Sequence, residues 1–498
     1  MAFTASYGLI YMVTVQSLLG PSAGWADVGT NYFVSEIMKF INQSYYDHYN
    51  SVLTPHGVFW VFGGISAAEL VGTLMGTVFL AWLLDNHGRK TPVVYMRSGL
   101  GFGGTLLQFL AKPCNSWELL LIGNFVCGIG DALATAKSMF VAECAPDKIR
   151  GAATMAGMLG SALYNIAACV AAMPWGLSSH DKWHYFFLLP LLPILLYVLL
   201  GSWIPESPKY LYITKKDRQA AERAIMFYHG NDTDIGTVFE HLESESQLVN
   251  NENSASLLTV LKTRHLRKPL IICLVFALFP VYGGAAVSGS YSNLVLRTFG
   301  VHQSAAMYLT IFLTAWGFVS SIFIGLQVIE RKGRRPIVFF GLFGAALVSL
   351  CCFAAKTFAE RLPNGDVAAN FWVVLFIIIS TGTQIAVEAS GAPLVGPVLV
   401  NEICPQAARA KILQICIITS TVGSLVVTLF FPGIYHALGA FVFVIFGVCI
   451  FLSTVWLWKR LPETKNRAID DIVSEWLPLR DETSVPTEED TIPLKLIL

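Results

Sequence analysis

The chain has 498 residues, is 54% hydrophobic, and balances 33 basic against 33 acidic side chains. Only 13% of its residues are charged, against roughly 25% in soluble globular proteins, so a soluble core does not account for the composition. Zero net charge gives no electrostatic footprint for nucleic acid, and a mean hydropathy of +0.59 points to long apolar segments.

Taken in chain order, apolar runs fall at 8–29, 57–84, 91–111, 117–140, 151–172, 185–204, 269–290, 305–328, 336–357, 371–399, 412–433 and 437–458. Each has the length of a membrane-spanning helix, about 20 residues. The start "MAFTAS" lacks a basic region and a clear cleavage site, so the first run is expected to be a retained span. The fold expected is therefore an all-α membrane protein of twelve transmembrane helices. Residues 1–204 and 268–460 would form two six-helix bundles, 205–267 a cytosolic helical linker, and 461–498 a cytosolic tail. The tail, with "RDETSVPTEEDTIP", is acidic and has the composition of a disordered segment.

Lys and Arg gather at 89–90, 148–150, 209–223, 262–268, 331–335, 409–411 and 459–467. All of these loops share one side of a twelve-span chain, and the positive-inside rule makes that side, with both termini, cytosolic. Asn42 heads an Asn-Gln-Ser glycosylation sequon in the first outward loop. A second sequon at Asn231 would face the cytosol and stay unmodified. The ten cysteines are scattered through apolar runs without a CxxC pair and are expected to be small buried hydrophobes.

The two halves repeat three landmarks in one order. Asp85 with Gly88-Arg89-Lys90 returns as Glu330 with Gly333-Arg334-Arg335. Glu143 and Arg150 return, at the same spacing, as Glu402 and Arg409. "PESPK", with Glu206, returns as "PETK", with Glu463. Glycine permits the tight turn between two helices, and the bases anchor span ends at the lipid boundary. The acids need another reason, because Asp and Glu contribute little to orientation.

With these landmarks, the first outward loop "FINQSYYDHY", and "RKPLIICLVFA" before the seventh run, the chain resembles the sugar-porter branch of the major facilitator superfamily. Animal facilitative glucose transporters are the nearest likeness. The resemblance implies two pseudo-symmetric bundles, with solute bound near the midplane between them. It implies gate ion pairs linking Asp85, Arg89, Glu143, Arg150 and Glu206, and likewise Glu330, Arg334, Glu402, Arg409 and Glu463. It also implies a cavity reached by Met158, Tyr164, Asn165, Tyr282, Gly284, Ser288, Gln384 and Glu388.

That cavity departs from the hexose pattern. Pro280, Val281 and Ala286 stand where the resemblance expects sugar-binding amides, Met158 replaces a Gln, and Asn124 replaces the Arg of a Gly-Arg pair. Ionisable residues lie within the runs instead: Asp27, Glu69, Arg97, Asp131, Lys137 and Glu388. Buried charge in a membrane costs roughly 2.5–3.5 kcal/mol on insertion scales, which makes each a candidate for function. Glu69, Arg97, Asp131 and Lys137 alternatively neutralise one another as packing, and Asp27 alternatively reaches outer water.

The leading expectation is a transporter of a small polar solute, hexose or polyol, in the plasma membrane or an endomembrane. Rivals are a proton-coupled or potential-driven carrier of a charged organic solute, and a non-transporting scaffold. The partners expected are the solute, the bilayer and, as candidate coupling ion, a proton. No metal-ligand cluster, nucleophile–base arrangement or phosphate-cradling loop occurs, so no cofactor, metal or enzyme activity is expected. "GLGFGG" at 99–104 lies in an apolar run with no strand before it and is expected to serve helix packing.

Overall fold

A computed structural model describes residues 6–20, 24–146, 149–173, 177, 181–230, 233–251, 264–282, 287, 291, 295–297, 301–327, 334–358, 375, 403–404 and 406–462. Regular structure among the described residues is helical, with no strand. Five helical stretches there are long and apolar enough to cross a membrane: Pro55–Leu80, Trp117–Cys144, Trp183–Gly201, Lys411–Tyr435 and Phe441–Arg460. In hydrocarbon the backbone must satisfy its own hydrogen bonds, and a helix does so within one segment.

The chain divides into two compact units. The first comprises Met1–Val249, Gly289–Leu294 and Thr428–Gly433; the second comprises Asn250–Ser288, Val295–Val427 and Ile434–Leu498. In the first unit α1 is Tyr7–Leu18, α2 is Gly24–Tyr32, α3 is Val34–Tyr49 and α4 is Pro55–His87. A π-helical turn at Thr91–Met96 leads into α5, Arg97–Leu110. Then come α6 (Trp117–Ala132), α7 (Ala134–Cys144), α8 (Arg150–Ala171) and, after a 3-10 turn at Trp183–Leu188, α9 (Leu191–Gly201). Outside the apolar runs lie α10 (Arg218–His229) and α11 (Ile235–Asn251). The second unit holds α12 (Arg264–Ala277), the single turn α13 (Phe279–Tyr282), α14 (Gln303–Gln327), α15 (Arg334–Phe358), most of α16 (Gln406–Leu438) and α17 (Phe441–Arg460).

Apart from 371–399, nearly all of which lies outside the described residues, the described parts of the expected runs are largely helical. Some runs are interrupted: Leu133 separates α6 from α7, Leu278 separates α12 from α13, and the first run is broken as well. It is not one continuous helix: α1 stops at Leu18, and helix resumes at Gly24. The sequence between contains Gly20-Pro21, and a proline has no N–H to continue the ladder. Asp27 consequently lies in the first turn of a new helix.

Helix α4 starts where Thr54 accepts the Gly57 N–H at 3.1 Å and Pro55 takes the first helical position, both strong start signals. Leu192, Leu195 and Leu199 on α9 are 65%, 55% and 62% exposed. Their spacing lines one helix face, an apolar stripe that suits lipid. The inner side of the first unit is a core that includes Met12, Val94, Phe140, Tyr197 and Tyr228. The second unit has its own core, including Phe276, Phe339, Ile412, Ile450 and Leu457.

Two contacts position the residues discussed below. Helices α4 and α6 meet along Gly72 and Gly128, where an added Cβ would land within 3 Å of the other helix's backbone. Thr73 Oγ1 spans the seam to the Gly128 carbonyl at 3.2 Å. Close approach through small residues is the usual basis of helix packing in lipid. Outside the spans, Ser6 Oγ donates to the carbonyls of Phe227 and Tyr228 at the end of α10. Tyr228 donates its hydroxyl to the Pro205 carbonyl at 2.6 Å.

Candidate functional site

The turn after α4 is held from two directions. Gly88 adopts φ +79°, which a glycine tolerates without steric cost. The following N–H groups of Arg89 and Lys90 then point at Glu206. Its carboxylate accepts them at 3.0 Å each, together with the Ser207 N–H at 2.8 Å. Free N–H groups at the start of a helical segment form a natural anion site. Here the anion is a side chain from the stretch after α9.

The Arg89 side chain runs the other way, to α7. Its Nε donates to Glu143 Oε2 at 2.9 Å and its Nη2 to Oε1 at 3.0 Å. This two-pronged geometry is the strongest form of a carboxylate–guanidinium pair. Ser207 Oγ also donates to Glu143, at 2.5 Å, and the guanidinium lies 5.4 Å from the Tyr210 ring centre. One turn is thereby tied to α7 and to the segment 206–210.

The expected set of gate residues is only partly gathered by this arrangement. Arg89, Glu143 and Glu206 meet, but Glu206 engages backbone N–H groups, not an arginine side chain. Asp85 is exposed at the end of α4 and makes no ion pair among the described residues. One helical turn separates it from Arg89, whose side chain leaves toward α7. Arg150 is exposed and opens α8. In the second half, Glu330, Glu402 and Glu463 lie outside the described residues. Arg334 opens α15 and Arg409 lies in α16; their side chains are not described. Arg335 donates to the Trp458 carbonyl at 2.7 Å.

A second group lies inside the first unit. Glu69 of α4 is 5% exposed and Arg97, at the start of α5, 2% exposed. The Glu69 carboxyl is within hydrogen-bonding reach of Asp27 from α2 and of Asp131 from α6. Arg97 adds its charge beside Asp131, and Lys137 of α7 lies close enough to feel Arg97. A cavity of about 30 Å³ adjoins them, lined by Arg97, Asp131, Tyr164, Thr105 and Trp25 among others. The sequence reading offered Glu69, Arg97, Asp131 and Lys137 as one mutually neutralising group; it left Asp27 free to reach outer water, and it did not foresee contact of Asp27 with Glu69.

Of the expected cavity residues, Tyr164 borders this space, with its ring edge-on to Trp25 at 5.2 Å. Asn165 lies against Gly24, where α2 begins. Tyr282, in the second unit, donates its hydroxyl to the Val275 carbonyl at 2.7 Å. Met158 belongs to α8, with its side chain not described. Gly284, Ser288, Gln384 and Glu388 lie outside the described residues. Asn124 is a packing link: it accepts from Gln108 of α5 and donates to the Ile65 carbonyl of α4 at 2.9 Å. The sequon residue Asn42 is exposed on α3. Ser44 of the same sequon is buried, donating to the Asn115 carbonyl at 2.6 Å.

Comparison with known proteins extends over nearly the whole chain. Facilitated glucose transporter member 4 of Homo sapiens is 26% identical over 479 residues, covering 93% of this chain and 90% of that protein. Member 1 from Gallus gallus is 25% identical over 439 residues, covering 88% and 86%. The inward-open structure of the xylose transporter XylE from E. coli superposes with a TM-score of 0.74 at 19% identity, over 94% of this chain and all of that one. A second XylE structure, described as a proton:xylose symporter of the major facilitator superfamily, gives 0.70 at 20% identity over 94% and 99%. These likenesses establish the fold as the major facilitator fold. The family described as "Sugar (and other) transporter" matches residues 12–476, and the chain belongs to that family.

Proposed function

We propose that this protein carries a hexose or polyol across a bilayer by alternating access. The observation that carries the reading is the built turn at Gly88–Lys90. Its side chain and backbone are fastened to two different segments through Glu143 and Glu206, and the sequence repeats its parts in the second half. A static scaffold needs no such device twice. The Arg89–Glu143 pair is nearly buried, and a pair made in one state and broken in another biases a two-state equilibrium. The curated relatives are named as glucose transporters, and none of those named is an enzyme. In this reading both termini are cytosolic, and the membrane is the plasma membrane or an endomembrane.

The test is reconstitution into proteoliposomes with labelled hexoses, polyols and organic ions. Saturable hexose or polyol uptake, accelerated by the same solute on the far side, is the expected result. Movement of an organic ion with no sugar or polyol flux would replace the reading with a charged-solute carrier. In that case Glu388→Gln should abolish the flux.

A further inference from the structure

We propose that Cys273 and Cys404, in the second unit, are an oxidation site: a peroxide converts them to a disulfide that staples α12 to the segment leading into α16. The effect on flux rests on the transporter reading; the chemistry does not. The two sulfurs lie 3.9 Å apart, although 131 residues separate them in the chain. Both thiols are free and buried. Burial alone fits the small hydrophobes expected of these cysteines, but their convergence goes further. Cys273 sits on α12, Cys404 stands just before α16 opens at Gln406, and Cys416 of α16 belongs to the same apolar core. Among neighbours such as Phe276, Leu342 and Ile412, a thiol meets reactive chemistry only in another thiol. A bond of about 2.05 Å needs the sulfurs to approach by about 1.9 Å, a distance within their swing about the Cα–Cβ bonds.

Location gives the pair access to a small oxidant. Lys268 is exposed, and Cys273 follows it by five residues on the same helix, about 7.5 Å along the axis. Cys404 shortly precedes the bases at 409–411. In the orientation proposed above, both thiols stand near the cytosolic boundary. Cytosolic thiols are kept reduced, and disulfides formed there are usually transient and sensing. Burial excludes bulky reagents, whereas hydrogen peroxide is little larger than water.

Helix α12 is also a segment whose freedom a staple would remove. Pro269 lies inside it and deletes one hydrogen bond of the ladder. Helix is interrupted again at Leu278, before α13. The piece carrying Cys273 is thus bounded by two weak points, the usual sites of helix bending. The oxidation itself is balanced. One sulfur attacks hydrogen peroxide; the O–O bond breaks, an S–O bond forms and one water leaves, giving a sulfenic acid. The second sulfur attacks the first; the S–O bond breaks, the S–S bond forms, and the hydroxyl leaves with the second thiol's proton as water. Two electrons pass from the pair to the peroxide.

The experiment uses the full-length protein in proteoliposomes. After hydrogen peroxide, free thiols are blocked in denaturant and the unreduced digest is mapped by mass spectrometry. A linked peptide pair containing Cys273 and Cys404 is expected, absent without peroxide and after dithiothreitol. Cys273→Ala and Cys404→Ala should lose it, and Cys449→Ala, at an exposed position of α17, should keep it. The wild-type map decides the site even where a variant fails to insert. Uptake of the best hexose or polyol should fall with peroxide and recover with dithiothreitol, and Cys404→Ala should be indifferent to both. Thiols left free after peroxide, or joined to other cysteines such as Cys416, overturn the proposal. A Cys273–Cys404 link with uptake unchanged overturns the switch. Absence of any sugar or polyol flux before oxidation counts against the sugar-porter reading and leaves the peptide map to decide the oxidation site.

Discussion

A double-mutant cycle on Arg89 and Glu143 gives the most direct measure of the turn. Their side chains retain 11% and 9% exposure and meet at 2.9 Å. At a charge separation of about 4 Å and an effective dielectric constant near 20, the attraction is about 4 kcal/mol. Desolvation and residual water contact reduce it, so a coupling of about 2 kcal/mol is expected, well above the 0.2–1 kcal/mol typical of exposed pairs. Stranding one charge by removing its partner costs about 3–5 kcal/mol in a buried pair. Arg89→Ala and Glu143→Ala should therefore each lower the melting temperature of the purified protein in detergent. The double variant should lose about 2 kcal/mol less than the two single losses added together, because neither charge is left unpaired. Losses that simply add would show that the pair contributes nothing and that the gate reading needs another basis.

Other expectations concern neighbouring features. Ser207→Ala removes one donor to Glu143 and should cost about 1 kcal/mol, seen as a smaller melting shift that vanishes in the Glu143→Ala background. Gly88→Val places a branched side chain at φ +79° and against the Glu206 carboxyl and the Tyr210 ring; membrane-inserted yield should fall sharply, while Gly99→Ala, in open space, should be neutral. Asn42→Gln should abolish the glycan shift on a gel and Asn231→Gln should not; the reverse result would overturn the orientation.

Apolar length was enough to read the helices that lie among the described residues, because the thickness of a bilayer core fixes the length of a span. The break in the first span was present in the sequence as Gly20-Pro21, but a hydrophobicity window averages over it. The pairing of Arg89 with Glu143 was legible only by resemblance. Asp85 looked equivalent to the other acids, yet its helical position leaves it on the exposed side of α4. Glu206 illustrates a different limit: a one-dimensional reading pairs side chains with side chains, and its partners are backbone N–H groups exposed by a glycine's positive φ. Likewise the contact of Asp27, Glu69 and Asp131 depends on three separate helices, a distance relation that no local pattern encodes.

The seam of Gly72, Gly128 and Thr73 has a mechanical consequence. Gly128 lies directly against the backbone of Glu69 and one turn before Asp131, so it sets the spacing of the two carboxyls as a rivet sets the gap between two plates. Helices locked backbone to backbone travel as one stiff beam. Motion of the first unit as a whole would therefore leave the carboxyl spacing unchanged. A single methyl group at Gly128 would wedge the beam apart. The contact between Glu69 and Asp131 would then be lost through a residue that carries no charge.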